Sequence, residues 1–271
     1  MTVTANDFPT GTVWLVGAGP GDPELLTRKA ERLIGSADVI FYDALVGQGV
    51  LDLALRRTRL VPVGKRSGRH SKDQASIDQL IVAAALAGSR VVRLKGGDPA
   101  IFGRATEELG ACRAAGVPVR ICPGITAASA AAASIGVSLT LRGLARKLTF
   151  VTAHARAGEA LSLDWATLAD PEATTAVYMG KASAADVAEQ MMAAGLPGST
   201  PALMVESASL PGERVVRTRL DLLGLVVDAA ASDGPALLLI GEALGASGDG
   251  GNAQTSTAAR GQPVGATEHR K

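Results

Sequence analysis

Glycine-rich turns that follow short apolar runs hold the residues best suited to chemistry in this sequence. The apolar run at 91–94 leads into Gly96 and Gly97, which would let a ligand approach bare backbone. Asp98 is expected to be a helix N-cap and Pro99 the first helical residue, where a missing N–H costs nothing. A strand, a glycine turn and a capped helix form ligand sites at the carboxyl ends of strands in α/β proteins. The stretch therefore predicts a ligand site.

A second glycine turn, at 17–23, follows the apolar run at 13–16. With Asp43 at the end of the next predicted strand, it is similar to the fingerprint of a dinucleotide site. The third glycine of that fingerprint would stand at position 22, where this chain has Asp22. The spacing also occurs in methyltransferases that bind S-adenosylmethionine. A nicotinamide site, a methyl-donor site and a plain strand-to-helix turn all remain open for this loop.

A third glycine-containing loop, at 64–72, has the highest local density of positive charge. Its cations would form charge-assisted hydrogen bonds with a ligand that carries carboxylates, although a solvated surface loop has the same composition. A nucleic-acid site is disfavoured because no aromatic residues are interleaved with the charges. His70 has no second ligand at a useful spacing, so a metal site is not expected.

The composition limits the class of protein. The 271 residues are 47% hydrophobic with a net charge of +1, which indicates a globular α/β protein without the basic excess of nucleic-acid binders. No apolar run is long enough to span a membrane, and the first residues do not resemble a secretory signal. The two cysteines lack metal or redox spacing, so reduced thiols in the cytoplasm are expected.

Predicted strands and helices alternate along most of the chain and give two βα domains in tandem. The predicted segments are a flexible lead-in at 1–11, a first domain at 12–134, a connection at 135–147, a second domain at 148–244 and a disordered tail at 245–271. The proline at 62 places the third strand near a sheet edge. Residues 213–218 alternate like a half-exposed antiparallel strand.

Five motifs in this order resemble those of the tetrapyrrole (class III) methyltransferases, which use S-adenosylmethionine. They are Gly-Ala-Gly-Pro-Gly-Asp-Pro at 17–23, Asp43, the basic loop at 64–70, Gly-Gly-Asp-Pro at 96–99, and Pro-Gly-Ile-Thr-Ala at 123–127. The resemblance covers about 13–241. It implies two tandem αβα domains with the active site in the cleft between them. It also implies a homodimer, no metal, and methylation of uroporphyrinogen III at C2 and C7 to give precorrin-2 for siroheme and cobalamin synthesis.

The resemblance also assigns residues to roles. Asp43 and Lys65 match a proposed proton acceptor and donor, which suits a reaction in which a macrocycle gains a methyl group and loses a proton. The implied donor-binding residues are Pro20, Gly96, Gly97, Asp98, Ile101, Thr126, Ala127, Met179 and Ala208. The candidate residues for the carboxylates of the substrate are Arg66, Arg69, His70, Arg93, Arg104 and Arg142.

Two departures from the family pattern affect substrate handling. Ala44 stands where the family usually has arginine, and Leu141 stands where it usually has histidine. They leave room for altered affinity or for a neighbouring tetrapyrrole substrate. Three alternative functions remain open. They are a later precorrin methyltransferase, an NAD-linked oxidoreductase that uses the first loop, and a tetrapyrrole-binding protein without catalysis.

Overall fold

A parallel sheet forms the first half of the protein, in a computed structural model that describes residues 8–64, 73–154, 161–230 and 232–246. Its strands are β1 (Val13–Gly17), β2 (Val39–Tyr42), β3 (Arg59–Pro62), β4 (Val91–Lys95) and β5 (Val119–Cys122). They lie in the order β3-β2-β4-β1-β5, and every pairing is parallel. The predicted edge position of β3 is confirmed. β1 and β4 are buried along their whole length, which explains their continuous apolar runs.

Helices cover both faces of this sheet. They are α1 (Arg28–Ile34), α2 (Gln48–Leu51), α3 (Gln74–Leu86) and α4 (Ala105–Ala114). One core joins α1 and α2 to alternate strand residues such as Val16 and Leu94, and a second joins α3 and α4 to Leu15 and Val91 on the opposite face. The first unit is therefore an αβα sandwich, as the family resemblance implies.

The Asp22-Pro23 pair predicts the start of a helix, but the first α-helix begins later, at Arg28. Asp22 caps only a single 3-10 turn, Pro23–Leu25, by accepting a hydrogen bond from the Glu24 N–H. Leu26 is then extended, and Thr27 caps α1 by accepting from the Ala30 N–H. Two successive caps divide the predicted helix because each one ends or begins a helical segment.

The second half contains a mixed sheet. Its strands are β6 (Lys147–Thr152), β7 (Ala173–Tyr178), β8 (Pro201–Glu206), β9 (Arg214–Arg219) and β10 (Ala236–Ile240), in the order β6-β7-β10-β8-β9. β6 pairs with β7 in parallel, and the remaining pairs are antiparallel. The prediction of a half-exposed antiparallel strand at 213–218 is confirmed by β9.

Helix α5 (Ala127–Ile135) packs on the second sheet, although it follows β5 of the first. Its buried alanines lie against β7, β8 and β10, because small side chains allow the helix to approach the sheet closely. The opposite face of that sheet carries α6 (Trp165–Leu168), α7 (Ala184–Ala193) and α8 (Leu223–Ala230). The second unit is thus also an αβα sandwich. The predicted domain limits stay a prediction, and most of the lead-in and tail lies outside the described residues. Within that lead-in, Phe8 packs into the first core.

Candidate functional site

Three loops at the carboxyl ends of β1, β4 and β5 are packed backbone against backbone. A Cβ added to Gly124 would lie 2.2 Å from the Gly97 carbonyl oxygen, and one added to Gly17 would lie 2.6 Å from the Gly124 Cα. Gly19 and Gly97 exchange two backbone hydrogen bonds of 3.2 and 2.7 Å. Only glycine permits this convergence, so the glycine-rich turns of the sequence form one continuous backbone surface.

Asp98 joins two of these loops. The predicted N-cap role is wrong, because α4 begins at Ala105 and its N-cap, Arg104, makes no side-chain capping bond. Instead, the Asp98 carboxylate accepts from the Ala100 N–H at 2.7 Å and from the Gly124 N–H at 3.0 Å. Asp98 therefore stabilises the turn after β4 and ties it to the loop after β5. Ile101 lies half-buried in the same turn, with its N–H bonded to the Asp98 carbonyl.

Room for a ligand remains beside this surface. Gly97 has a φ of 67°, and a Cβ added there would meet nothing within 4 Å. Gly96, Pro20 and Thr126 are half-buried at the same sheet edge. Partly covered bare backbone with open space beside it fits a small ligand such as S-adenosylmethionine, which has a charged and an apolar part.

The candidate acid, Asp43, directly follows β2 at the same edge of the sheet. Its carboxylate accepts a 2.5 Å hydrogen bond from Arg93 Nη2. Arg93 in turn donates from Nε to Glu108 at 2.7 Å, and Glu108 binds Lys95 Nζ at 2.9 Å. The candidate acid is therefore one end of a row of four charged side chains, three of which are buried.

Burial changes the acid–base properties of the two cations in this row. Burial lowers the pKa of Lys95, the positive charge of Arg93 lowers it further, and the bond to Glu108 only partly opposes them. Burial also acts to lower the pKa of Arg93, but the carboxylates of Asp43 and Glu108 outweigh it and raise that pKa. Arg93 therefore stays charged beside the candidate acid.

The position of Arg93 does not fit its predicted role in binding the carboxylates of the substrate. The side chain is only 3% exposed, and its N–H groups contact Asp43, Glu108 and the Leu94 carbonyl. A guanidinium that is buried and bonded in three directions is not presented to an incoming carboxylate. Arg93 contacts the candidate acid instead.

The other predicted substrate residues differ in placement. Arg104 is 62% exposed and forms an ion pair with Glu107, and Arg142 is exposed in the turn before β6. Four of the predictions, namely Lys65, Arg66, Arg69 and His70, lie outside the described residues.

Tyr178 connects the two units at the same edge. Its hydroxyl lies 2.5 Å from Thr126 Oγ1 and accepts from the Ala128 N–H at 3.3 Å. Burial raises the pKa of Tyr178, so the hydroxyl stays neutral at ordinary pH. The structure thereby brings the predicted donor residues Thr126 and Ala127 next to the end of β7, where Met179 follows.

The loops of the second unit that carry the predicted residues have unusual backbones. Met179 has a φ of 55° and is exposed, and Ala208 is buried between Ser207 and Ser209, whose φ angles are 54° and 67°. Ser209 Oγ accepts from the Asp22 N–H at 3.1 Å, which brings the Ala208 loop against the turn after β1. Strained backbone of this kind is common at ligand sites.

Exposed apolar side chains lie around this junction. Leu45 lies against Gly96, and the ring centroid of Phe102 is 5.1 Å from that of Tyr178. Leu45, Phe102 and Met179 are all exposed, at 60%, 38% and 49%. Together they give the junction an apolar rim that suits a flat ring system.

The sequence interpretation missed three residues that support this site. Glu108 binds Arg93 and Lys95, Tyr178 bonds to Thr126, and Glu206 at the end of β8 accepts from Lys181 Nζ at 3.0 Å. One signal was present for Glu108. Arg93 and Lys95 occupy alternate positions of an apolar strand, so both cations point to one buried face and require a partner there.

Two kinds of feature are absent from the described residues. They contain no group of three or more His, Cys, Asp or Glu side chains arranged to hold a metal ion. No helix in the described ranges has the length and apolarity needed to cross a membrane.

Comparisons with known proteins agree on one family. Residues 12–223 match the Tetrapyrrole (Corrin/Porphyrin) Methylases. The S-adenosyl-L-methionine-dependent uroporphyrinogen III methyltransferase (chloroplastic) of Arabidopsis thaliana is 46% identical over 87% of this chain and 64% of its own length. The uroporphyrinogen-III C-methyltransferase of Paracoccus denitrificans is 46% identical over 85% of this chain and 80% of its own length.

A solved structure has the same fold. The uroporphyrin-III C-methyltransferase of Thermus thermophilus, complexed with S-adenosyl homocysteine, is 40% identical with a TM-score of 0.74. The match covers 86% of this chain and 98% of that one. The present chain spans slightly less than two thirds of the Arabidopsis protein.

Proposed function

Because this chain belongs to the tetrapyrrole (corrin/porphyrin) methylase family, we propose that it methylates uroporphyrinogen III with S-adenosylmethionine. The product is precorrin-2, methylated at C2 and C7, which serves siroheme and cobalamin synthesis. The relatives from Arabidopsis and Paracoccus support this substrate by name, and the Thermus structure supports the donor through its bound S-adenosyl homocysteine, the form of the donor without its methyl group.

One feature of the geometry carries the proposal. The close-packed glycine loops, with open space beside Gly97, and the carboxylate of Asp43 lie at one edge of the first sheet, and that edge contacts the second unit. A methyltransferase requires this combination, because a donor pocket and a proton acceptor must lie beside one substrate.

The residues of the site have distinct proposed roles. Gly96, Gly97 and Asp98 hold the donor from the first unit, together with Pro20, Ile101, Thr126 and Ala127, and Met179 and Ala208 contact it from the second. When bound, S-adenosylmethionine supplies an electrophilic methyl group, so the protein itself has mainly to orient the reactants and exclude water.

Asp43 accepts the proton that leaves the macrocycle after a ring carbon has gained the methyl group. Lys65 returns a proton or holds the substrate. The apolar rim of Leu45, Phe102 and Met179 contacts the ring system. The carboxylates of the substrate bind to the basic loop through Arg66, Arg69 and His70, and to Arg104 and Arg142.

The decisive experiment is mass spectrometry of the product formed from uroporphyrinogen III and S-adenosylmethionine. We expect a mass increase of two CH2 units, because the macrocycle loses one proton for each methyl group that it gains. We also expect Asp43→Asn to lower turnover while S-adenosylhomocysteine binding by calorimetry stays unchanged. NAD serves as the negative ligand in that calorimetry. Turnover of a precorrin without turnover of uroporphyrinogen III would refute the proposed substrate, and binding of NAD in place of S-adenosylhomocysteine would refute the proposed reaction class.

The assembly is proposed on the resemblance, and the location on the composition and the cysteines. We propose a cytoplasmic homodimer. Two buried, free cysteines are consistent with a reducing compartment, and burial raises the pKa of Cys112 to about 11, which keeps its thiol unreactive. Light scattering on the purified protein measures the mass of the assembly, and a monomeric mass would contradict the homodimer.

A further inference from the structure

The row of charged side chains at the edge of the first sheet links Asp43 to the interior. Arg93 is its central member, donating to Asp43 at 2.5 Å on one side and to Glu108 at 2.7 Å on the other. The Glu108 carboxylate is completely buried and also binds Lys95. Asp43, at 27% side-chain exposure, is the only member of the row with substantial contact with solvent.

Burying such a row of charges is costly, because each charged group loses its hydration. The residues on either side of Arg93 in β4 are apolar. Apolar side chains in place of the charged ones would fill the core without the cost of removing charges from water. Two buried cations also face a single buried carboxylate, so one positive charge is left over inside the fold. The Asp43 carboxylate, paired with Arg93, balances that charge.

The geometry of Arg93 restricts the carboxylate that it holds. Its guanidinium donates in three directions, to Glu108 from Nε, to the Leu94 carbonyl from Nη1 at 3.0 Å, and to Asp43 from Nη2. A planar guanidinium group that donates three hydrogen bonds cannot rotate without breaking one of them. The position of the Asp43 carboxylate is therefore determined from inside the sheet.

We propose that Arg93 is the positioning residue for Asp43 and that Glu108 holds Arg93 in place. The inference rests on the proposed methyl transfer, in which Asp43 accepts the proton. Arg93 keeps the Asp43 carboxylate aimed at the junction of the two units, and Lys95 only neutralises Glu108.

The test compares two variants that remove the same charge. Arg93→Met and Lys95→Met each delete one buried cation that contacts Glu108, but only the first removes a partner of Asp43. We expect Arg93→Met to lower kcat at least about tenfold, a modest share of what acid–base catalysis contributes, with unchanged S-adenosylhomocysteine affinity. Lys95→Met should stay within about threefold of the parent, because a group that neither touches nor aligns the acid leaves its proton transfer intact.

A double-mutant cycle distinguishes positioning from a general structural effect. If Arg93 acts through Asp43, then Arg93→Met causes no further loss of kcat in the Asp43→Asn background. A full additional loss in that background, or equal losses in Arg93→Met and Lys95→Met, would overturn the inference. If Arg93→Met does not fold, Arg93→Lys replaces it, since a lysine keeps the charge but cannot bridge both carboxylates.

Thermal unfolding supplies a measurement that needs no turnover. Asp43→Asn leaves the buried charge unbalanced and should lower Tm, and Arg93→Met added to it should recover part of that loss. Absence of recovery would contradict the charge balance between Arg93 and Asp43. If the parent protein fails to methylate uroporphyrinogen III, the proposed function is refuted, and the Tm cycle still decides whether the two residues are coupled.

Discussion

Replacing Asp98 by alanine tests the contact that holds the candidate donor site together. The change removes a 2.7 Å hydrogen bond from Ala100 N–H and a 3.0 Å bond from Gly124 N–H. The Ala100 bond is exposed, so its loss costs about 0.5–1 kcal/mol, whereas the partly buried Gly124 N–H loses a charged acceptor at about 1.5–2 kcal/mol. The sum is about 2–3 kcal/mol.

Scanning calorimetry measures this loss. For a chain of this size the sum corresponds to a fall in Tm of about 4–12 °C. Asp98→Asn is the matched control, because its single amide oxygen can keep one of the two bonds, so about half of the fall is expected. Titration with S-adenosylhomocysteine should show weaker binding by Asp98→Ala, since the loop after β5 is no longer tied to the Gly96-Gly97 turn. An unchanged Tm would refute the assignment of both bonds, and unchanged binding would leave Asp98 with a structural role only.

Two further predictions concern other contacts. Gly124→Ala should cost at least about 3 kcal/mol of stability in urea unfolding, because its Cβ would lie 2.2 Å from a backbone oxygen. The control Gly110→Ala, in open space on α4, should gain about 0.5–1 kcal/mol. Equal effects of the two substitutions would contradict the packing of the glycine loops. Burial raises the pKa of Glu206, but the hydrogen bonds from Lys181 and Ser232 outweigh burial and lower it from the ordinary 4.5. A carboxyl group whose pKa is lowered by folding contributes stability at neutral pH, and this contribution disappears as the pH falls through the folded-state pKa. Glu206→Gln should therefore be less stable than the parent at neutral pH, and its free energy of unfolding should fall less than that of the parent below pH 4.5. Parallel stability curves for parent and variant would refute that contribution.

Most elements of the fold follow from local sequence patterns. The apolar runs of β1 and β4, the proline of β3 and the alternation of β9 each predict the correct strand. The glycine turns are also recognisable locally, because a turn that brings backbone close to backbone needs residues without a Cβ.

The partners of the charged side chains could not be predicted in the same way. Asp43 and Arg93 are 50 residues apart, and Asp98 and Gly124 are 26 residues apart. The local pattern of Asp98 followed by Pro99 favours a helix cap. In the structure, however, the Asp98 carboxylate accepts a hydrogen bond from the Gly124 N–H in the loop after β5, and the helix begins seven residues after Asp98. Long-range contacts therefore overrode the local preference.

The sequence alone determined the two α/β units and the position of the glycine loops at the carboxyl ends of the strands. Apolar strands and turn glycines are visible in neighbouring residues, and the alternation of strands and helices indicates parallel strands. Only the tertiary structure decided that Arg93 contacts the acid from inside the sheet, that Asp98 joins two loops, and that α5 packs on the second sheet. These arrangements depend on which side chains meet when the sheets and helices pack. Burial then favours a partner for each charged side chain, and the packing decides which group is within reach.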